Sequence, residues 1–357
     1  MSKRVGILTG GGDAPGLNAV IRAFVYHGVR DLGLEVIGVE DAFNGLLETP
    51  RRLQALTPRA CRGLLPRGGT ILGTTNRGDP FAYPGPGGST SDRSRELAVA
   101  VKDEGLEGLV CIGGEGSQAI ALRLMDDVGI PVLGVPKTID NDLGATDFTF
   151  GFFTAVDICT DALDRLHTTA ESHDRVIFLE VMGRDSGHIA LYAGLAGGVD
   201  AILLPEIPWD PMRIADKIRR RKARGHPFSI IVVAEGALPV RLATDDPAER
   251  KKRLKPGAAA IAMAELEDLV DAEMRACVLG HIQRGGSPSA FDRILATRFG
   301  VVAADRVAEG RWGELVRIHD GVVDSVPLRD AGTGPRLVDP RDELVRTARA
   351  TGIELGA

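Results

Sequence analysis

Cysteine is scarce. The four residues, Cys61, Cys111, Cys159 and Cys277, lie far apart and form no C-x-x-C pair. That argues against a disulfide framework or a zinc site, and reduced thiols are expected. Amides are scarcer still: asparagine occurs only at 18, 44, 76 and 141, and glutamine only at 54, 118 and 283. This fits a heat-tolerant source and a GC-rich codon bias equally well. An excess of positive charge is also missing. Lys and Arg number 43 against 49 Asp and Glu, a net charge of −6, unlike the basic footprint of a general nucleic-acid binder. A local basic pocket for a phosphorylated small molecule stays open. No apolar run approaches the ~20 residues of a spanning helix. Met1–Gly10 has Lys3 and Arg4 before a short apolar strand, without a signal peptide's apolar core and cleavage site. A cytoplasmic protein is expected, with no membrane and no nucleic-acid partner. Low-complexity tracts and repeats are absent.

A chain of 357 residues is about right for two domains, and 44% apolar residues suffice for real cores. Strand-like and helix-like stretches alternate. Strands are predicted at Val5–Thr9, Leu34–Val39, Leu109–Ile112, Val132–Val135, Val176–Met182, Ile202–Leu204, Ile230–Ala234 and Ala276–His281. Helices are predicted near Asn18–Asp31, Gln118–Asp127, Phe152–Arg165, Ala258–Leu269 and Ala290–Ala308. The alternation predicts an α/β fold with parallel sheets flanked by helices. Ligands in such sheets sit beyond the carboxyl ends of strands. There the sequence places Gly10–Asp13, Gly113–Ser117, Lys137–Asp142, Met182–Arg184, Glu235-Gly236 and His281–Gly286.

Gly10–Gly12 is followed by a helical stretch, as in a turn that cradles phosphate beneath a helix N-terminus. The pattern fits a tight turn around Asp13 equally well. No Walker A loop is present, and Pro15 stands where a dinucleotide fingerprint needs its third glycine. In GGEGS (113–117), Glu115 suits a Mg²⁺ shared with phosphate oxygens, or simply complements the helix dipole. In PKTIDND (136–142), an extended chain would point Thr138, Asp140 and Asp142 to one face, with Lys137 and Asn141 opposite. Two adjacent carboxylates are costly unless a metal, a proton or a substrate holds them. One Asp accepting a hydroxyl proton is the chemistry of phosphoryl transfer. Arg175, Arg184, Arg275, His281 and Arg284 flank strand ends and read as anion clamps. Glu235 is placed to accept from sugar hydroxyls.

GGGDAPGLNAVIR, GGTILG (68–73), GGEGS, PKTIDND, EVMGRDSGHIA (180–190) and VLGHIQRGGSPSAFDRILA (278–296) together resemble the 6-phosphofructokinase family, in the family's order, from about Val5 to about Gly300. The resemblance implies two Rossmann-like α/β/α lobes with the active site in the cleft between them. A donor lobe of 1–150 with a return near 270–310 would complement a fructose 6-phosphate lobe of 151–269 with about 311–357. It implies transfer of a phosphoryl group from ATP, with Mg²⁺, to the 1-hydroxyl of fructose 6-phosphate. Gly11, Arg77, Gly114, Glu115, Gly116 and Ser117 would meet the donor, with Glu115 as the metal ligand where the family usually has Asp. Arg77 is assigned although Asn76 stands at the nearest aligned place. Asp140 would be the base. Thr138, Asp142, Lys137 and Arg184 would orient substrate and steady the phosphoryl group. Met182, Gly183, Glu235, His281 and Arg284, with Arg175 and Arg275, would line the sugar-phosphate site. The counterparts of Arg175 and Arg275 reach in from a neighbouring subunit, which implies a homo-oligomer, dimer or tetramer.

Two residues bear on the donor. Gly116 resembles the ATP users, whereas Lys137 resembles the pyrophosphate-using branch. ATP is expected, with pyrophosphate as the alternative. A regulatory protein that has lost the chemistry is a weaker rival, since Asp140, Asp142 and the arginine set are all present, and a dinucleotide dehydrogenase is weaker still, lacking a clean fingerprint. At places matching the bacterial effector pocket Arg22, Arg224 and Asp200 are kept, but Tyr26, His167 and Phe228 replace cations. Weak response to ADP and to phosphoenolpyruvate is expected.

Overall fold

The structure, a computed structural model, describes residues 3–331 and 334–357. In chain order it contains β1 (Arg4–Thr9), α1 (Leu17–Arg30), β2 (Glu35–Val39), α2 (Asn44–Leu47), β3 (Leu53–Leu56), β4 (Tyr83–Pro84), β5 (Thr90–Ser91), α3 (Ser94–Asp103), β6 (Leu109–Gly113), α4 (Glu115–Val128) and β7 (Val132–Pro136). There follow α5 (Phe152–His173), β8 (Val176–Val181), α6 (His188–Ala196), β9 (Ala201–Leu203), α7 (Pro211–Ala223), β10 (Ser229–Ala234), α8 (Pro247–Arg253), α9 (Ala258–Leu266) and β11 (Met274–Val278). The chain ends with α10 (Ala290–Ala308), β12 (Glu314–His319), β13 (Val322–Pro327) and α11 (Glu343–Ala350). Each predicted strand and helix is present. The last predicted strand starts two residues earlier and stops at Val278, three residues short of His281, because Gly280–Arg284 winds into a 3₁₀ turn. Not predicted are α2, α3, α6, α7, α8 and α11, the short strands β3, β4 and β5, and the hairpin β12–β13. Arg and Lys crowd α7, masking its periodicity, and it starts on Pro211 with Asp210 accepting from the Met212 N–H.

The chain forms two compact units. One takes residues up to Ile139, Leu143–Phe153 and Arg284–Pro335; the other takes Asp140–Asp142, Thr154–Gln283 and Arg336–Ala357. The boundary between units therefore falls inside both PKTIDND and HIQRGG. The sequence-based division places 311–335 in the second lobe. In the structure β12 pairs with β7 and buries Leu315 and Val316, which draws that stretch into the first unit.

The first unit is built on a seven-stranded sheet of order β13-β12-β7-β6-β1-β2-β3, parallel from β12 to β2 with antiparallel edges. Its central strands are continuously apolar because both faces are covered. Ile7, Val110, Ile112, Leu133 and Val135 pack with Phe24 of α1 and Phe299 of α10. The alternate residues Leu8, Leu109, Cys111 and Val132 pack with Leu97 of α3 and Leu124 of α4. The two long helices approach closely: a β-carbon on Gly300 would stand 2.5 Å from the Val20 carbonyl oxygen.

The second unit carries an all-parallel sheet of order β11-β8-β10-β9. The IIVVA run lies in β10, an interior strand, and is buried throughout. The C-terminal segment belongs to this unit. Ile202 donates to the Glu354 carbonyl at 2.9 Å, and Glu354 donates to that of Asp200 at 3.0 Å. No helix among the described residues is long and apolar enough to cross a membrane.

Candidate active site

In the first unit β1, β6 and β7 are neighbours and run the same way, so three glycine or polar turns emerge side by side. Gly10 donates to the Ile112 carbonyl at 2.9 Å, and Lys137 to that of Gly113 at 3.0 Å. Gly11 has φ 79°, a conformation that disfavours a side chain. A β-carbon placed there would face the Lys137 Nζ at 3.4 Å, the Ser117 Oγ at 3.6 Å and the Asn76 Oδ1 at 3.9 Å. Lys137 is 4% exposed, and its ammonium donates to the Gly12 carbonyl. The Arg284 guanidinium covers Gly12 and donates to the Asp13 carbonyl at 3.3 Å. Thus Gly11, Ser117, Lys137 and Arg284 gather around one turn. Arg77 is exposed, and its neighbour Asn76 is among the three side chains nearest Gly11.

Glu115 is the first residue of α4, after the extended Gly114. Its half-buried carboxylate lies at the positive end of the helix. Gly116, in the same turn, has no heavy atom within 4 Å of a β-carbon built on it. Behind these turns stands Gln118, 2% exposed, whose Nε2 donates to the carbonyls of Cys111, Gly113 and Val135 at 3.2, 3.0 and 3.1 Å. It bolts β6 to β7 where the chain leaves the sheet. The GGTILG loop is held by Asn18, which accepts from the Ile71 N–H at 2.9 Å and donates to the carbonyls of Arg67 and Gly68.

In the second unit β8, β10 and β11 present their carboxyl ends together. Gly183 (φ 138°) and Arg184 (φ 53°) form a tight left-handed turn. The Arg184 N–H donates to the Glu235 carboxylate at 2.8 Å, and a β-carbon on Gly236 would collide with the Arg184 carbonyl oxygen. The Arg184 side chain itself is 81% exposed. Buried Gln283 accepts from the Met182 N–H at 3.2 Å and donates to the Gly280 carbonyl at 3.0 Å, tying the turn after β8 to the 3₁₀ turn that carries the exposed His281. Burial, with a smaller push from Glu235, raises the carboxyl of Glu180.

The acidic turn is not extended. Asn141 is in the left-handed region (φ 53°), so the side-chain alternation expected from Thr138 to Asp142 breaks at that residue. Asparagine tolerates this backbone because its short polar side chain bonds locally. Within the second unit, Arg175 and Arg275 do not join Met182, Gly183, Arg184 and Glu235. They stand at the amino ends of β8 and β11, about 20 Å along the strands from Met182 at ~3.3 Å per residue. Both guanidinium groups bond the Glu273 carboxylate there, Arg175 at 3.0 Å.

Sequence reasoning passed over Asn76, Gln118 and Gln283. Gln118 directly follows GGEGS and Gln283 lies inside the 278–296 motif, and a glutamine beside a strand end is the signal that marks them. Asp200, expected near an effector pocket, bonds Arg221 at 2.8 Å and the Ile230 N–H at 3.0 Å, so it serves the fold. Among the described residues, three potential metal-ligand atoms within 4.8 Å of one another occur at Asp147, His319 and Asp320, at the carboxyl end of β12.

The phosphofructokinase family profile matches residues 4–307. The chain is 51% identical over 354 residues to the ATP-dependent 6-phosphofructokinase of Chloroflexus aggregans, covering 99% of this chain and 98% of the relative. It is 46% identical over 341 residues to the pyrophosphate–fructose 6-phosphate 1-phosphotransferase of Streptomyces coelicolor, covering 94% and 96%. Among solved structures it resembles phosphofructokinase from Saccharomyces cerevisiae, with a TM-score of 0.78 and 30% identity, covering 92% of this chain and 45% of that longer one. With a family profile matched over residues 4–307 and 51% identity to a relative over nearly the full chain, the chain belongs to the phosphofructokinase family.

Proposed function

We propose that the protein transfers the γ-phosphoryl group of ATP to the 1-hydroxyl of fructose 6-phosphate, giving fructose 1,6-bisphosphate and ADP in glycolysis. The observation that carries this reading is the gathering of Gly11, Ser117, Lys137 and Arg284 around one strand-end turn in the donor unit. An oligophosphate needs such backbone approach and fixed positive charge.

In this reading Asp140 accepts the hydroxyl proton as the sugar oxygen attacks phosphorus. Thr138 and Asp142 orient that oxygen, Arg184 neutralises the moving phosphoryl group, and Lys137 meets charge on the donor. Gly11, Gly114, Gly116 and Ser117 receive the donor phosphates and nucleoside, with Arg77 or Asn76 at its edge. Met182, Gly183, Glu235, His281 and Arg284 hold the sugar phosphate. A single half-buried carboxylate at a helix start suits Mg²⁺, which takes one or two carboxylates and completes its shell with phosphate oxygens and water. Glu115 would hold it, and when bound it neutralises charge on the donor phosphates. Arg175 and Arg275, remote from Met182, Gly183, Arg184 and Glu235, would serve a neighbouring copy of the chain, making the enzyme a dimer or tetramer. The free thiols of all four cysteines accord with the cytoplasm.

Lys137 keeps pyrophosphate as the alternative donor, while the open space at Gly116 favours ATP. Purified protein assayed with each donor decides between them. Turnover with ATP is expected, and turnover with pyrophosphate alone would overturn the donor assignment. Asp140→Ala should lose about 10²- to 10⁴-fold in kcat while still binding fructose 6-phosphate. A wild type that binds both ligands yet never turns over would mark a regulatory protein.

A further inference from the structure

The family profile ends at residue 307, yet the C-terminal segment reaches the acidic turn. The Arg336 N–H donates to the Asp142 carbonyl at 2.7 Å, and its guanidinium Nη2 donates to the Asn141 carbonyl at 3.0 Å. One tail residue thus holds two consecutive carbonyls of the turn that begins with Asp140. The Arg336 carbonyl in turn accepts from the His188 Nε2 at 3.2 Å. Two residues on, the Val338 N–H donates to the Glu206 Oε1 at 2.9 Å, and the same oxygen accepts from the Gly187 N–H at 2.8 Å. Gly187 closes the turn that carries Gly183 and Arg184. All of these residues lie in the second unit.

We propose that residues 336–338 form a strap that sets the acidic turn and the Met182–Gly187 turn in register, with Arg336 as a positioning residue for Asp140. This rests on the kinase reading above. Residues 139–142 belong to no helix or strand, so no ladder of backbone bonds constrains the turn, and at Asn141 it takes a left-handed backbone that asparagine tolerates but does not by itself fix. The Arg336 bonds supply that constraint on the two residues after Asp140. The strap is anchored beyond its far end, where α11 leads to Glu354 beside β9. Displacing a base by about 1 Å costs about 100-fold in rate while leaving ligand affinity largely intact.

The test uses the full chain with Arg336→Ala and Arg336→Lys. Measured are kcat per titrated active site, KM for both substrates, the pH profile of kcat, and calorimetric binding of fructose 6-phosphate. Arg336→Ala is expected to lower kcat by about 30-fold or more, to leave both KM values within about 3-fold, and to move the acid limb of the kcat profile. Arg336→Lys should recover part of that loss. A kcat within about 3-fold of wild type in Arg336→Ala overturns the strap. So does a loss in which the pH limb stays put and Lys does no better than Ala. If Arg336→Ala does not fold, Arg336→Lys decides on the same readouts, with wild-type kcat and an unmoved limb counting against the strap. Wild-type protein inactive with both ATP and pyrophosphate removes the kinase reading and the strap with it. Active wild type with an unaffected variant removes the strap alone.

Discussion

The Lys137 ammonium donates to the carbonyl oxygen of Gly12, so a buried cation from the end of β7 is fixed against the glycine turn that follows β1. Lys137→Met removes that charge with little change in volume. A hydrogen bond to a charged group contributes about 1.5–3 kcal/mol, so the donor KM should rise about 10- to 100-fold. The KM for fructose 6-phosphate should stay near wild type. Steady-state kinetics with each substrate varied check this, and an unchanged donor KM would remove Lys137 from the donor site.

Gly116 offers a clean probe of donor choice. Nothing lies within 4 Å of a β-carbon there, so Gly116→Asp should fold like wild type. A carboxylate about 5 Å from a donor phosphate, at an effective dielectric near ~20, adds about 3 kcal/mol of repulsion. That is a loss of about 100-fold in kcat/KM for ATP. ATP kinetics that stay unchanged, with a wild-type melting temperature, would show that the nucleotide does not pass this residue.

His188 sets an expected pH dependence of stability. Burial, and secondarily the Arg336 charge, lower its pKa to about 4 from the ordinary 6.5, so the folded protein keeps it neutral. Below pH 6.5 the unfolded chain binds a proton that the folded one does not, and stability falls until about pH 4. The full effect is about 3 kcal/mol at ~1.4 kcal/mol per pKa unit. His188→Asn should flatten this dependence. Urea midpoints of both proteins at pH 7, 6, 5 and 4.5 test it, and parallel curves would refute it.

Gln118 joins β6 to β7 through three carbonyl oxygens. Gln118→Ala leaves part of that buried polar set without its donor, at a cost of about 1–3 kcal/mol. Because the turns of Glu115 and Lys137 leave the sheet on either side, donor affinity should fall as well. A variant with wild-type urea midpoint and donor KM would show that the sheet ladder alone holds these ends.

The strand ends were legible because an apolar run that stops at glycine is a local signal. Val5–Thr9 with Gly10–Gly12, and Leu109–Ile112 with Gly113-Gly114, can be read without knowing what packs on them. The α/β class follows from the same alternation, and the motif order carries the family. The acidic turn was misread at Asn141, since alternation assumes an extended chain and one left-handed residue cancels it. Arg175 and Arg275 were grouped with Arg184 because all flank strands, yet the direction of β8 and β11 sends them to the opposite end.

What the sequence determined by itself is therefore the inventory: which strands form, which turns carry glycine, charge and carboxylate, and which family they belong to. These depend on neighbours within a few residues, where periodicity and φ preferences act. Only the tertiary structure decided the pairings. Lys137 meets Gly12 because β7, β6 and β1 lie side by side, and Arg336 meets Asn141 across 195 residues because the tail returns to the second unit. Sheet order and chain return come from burying both faces of each sheet at once, a condition on the whole chain that no local stretch can express.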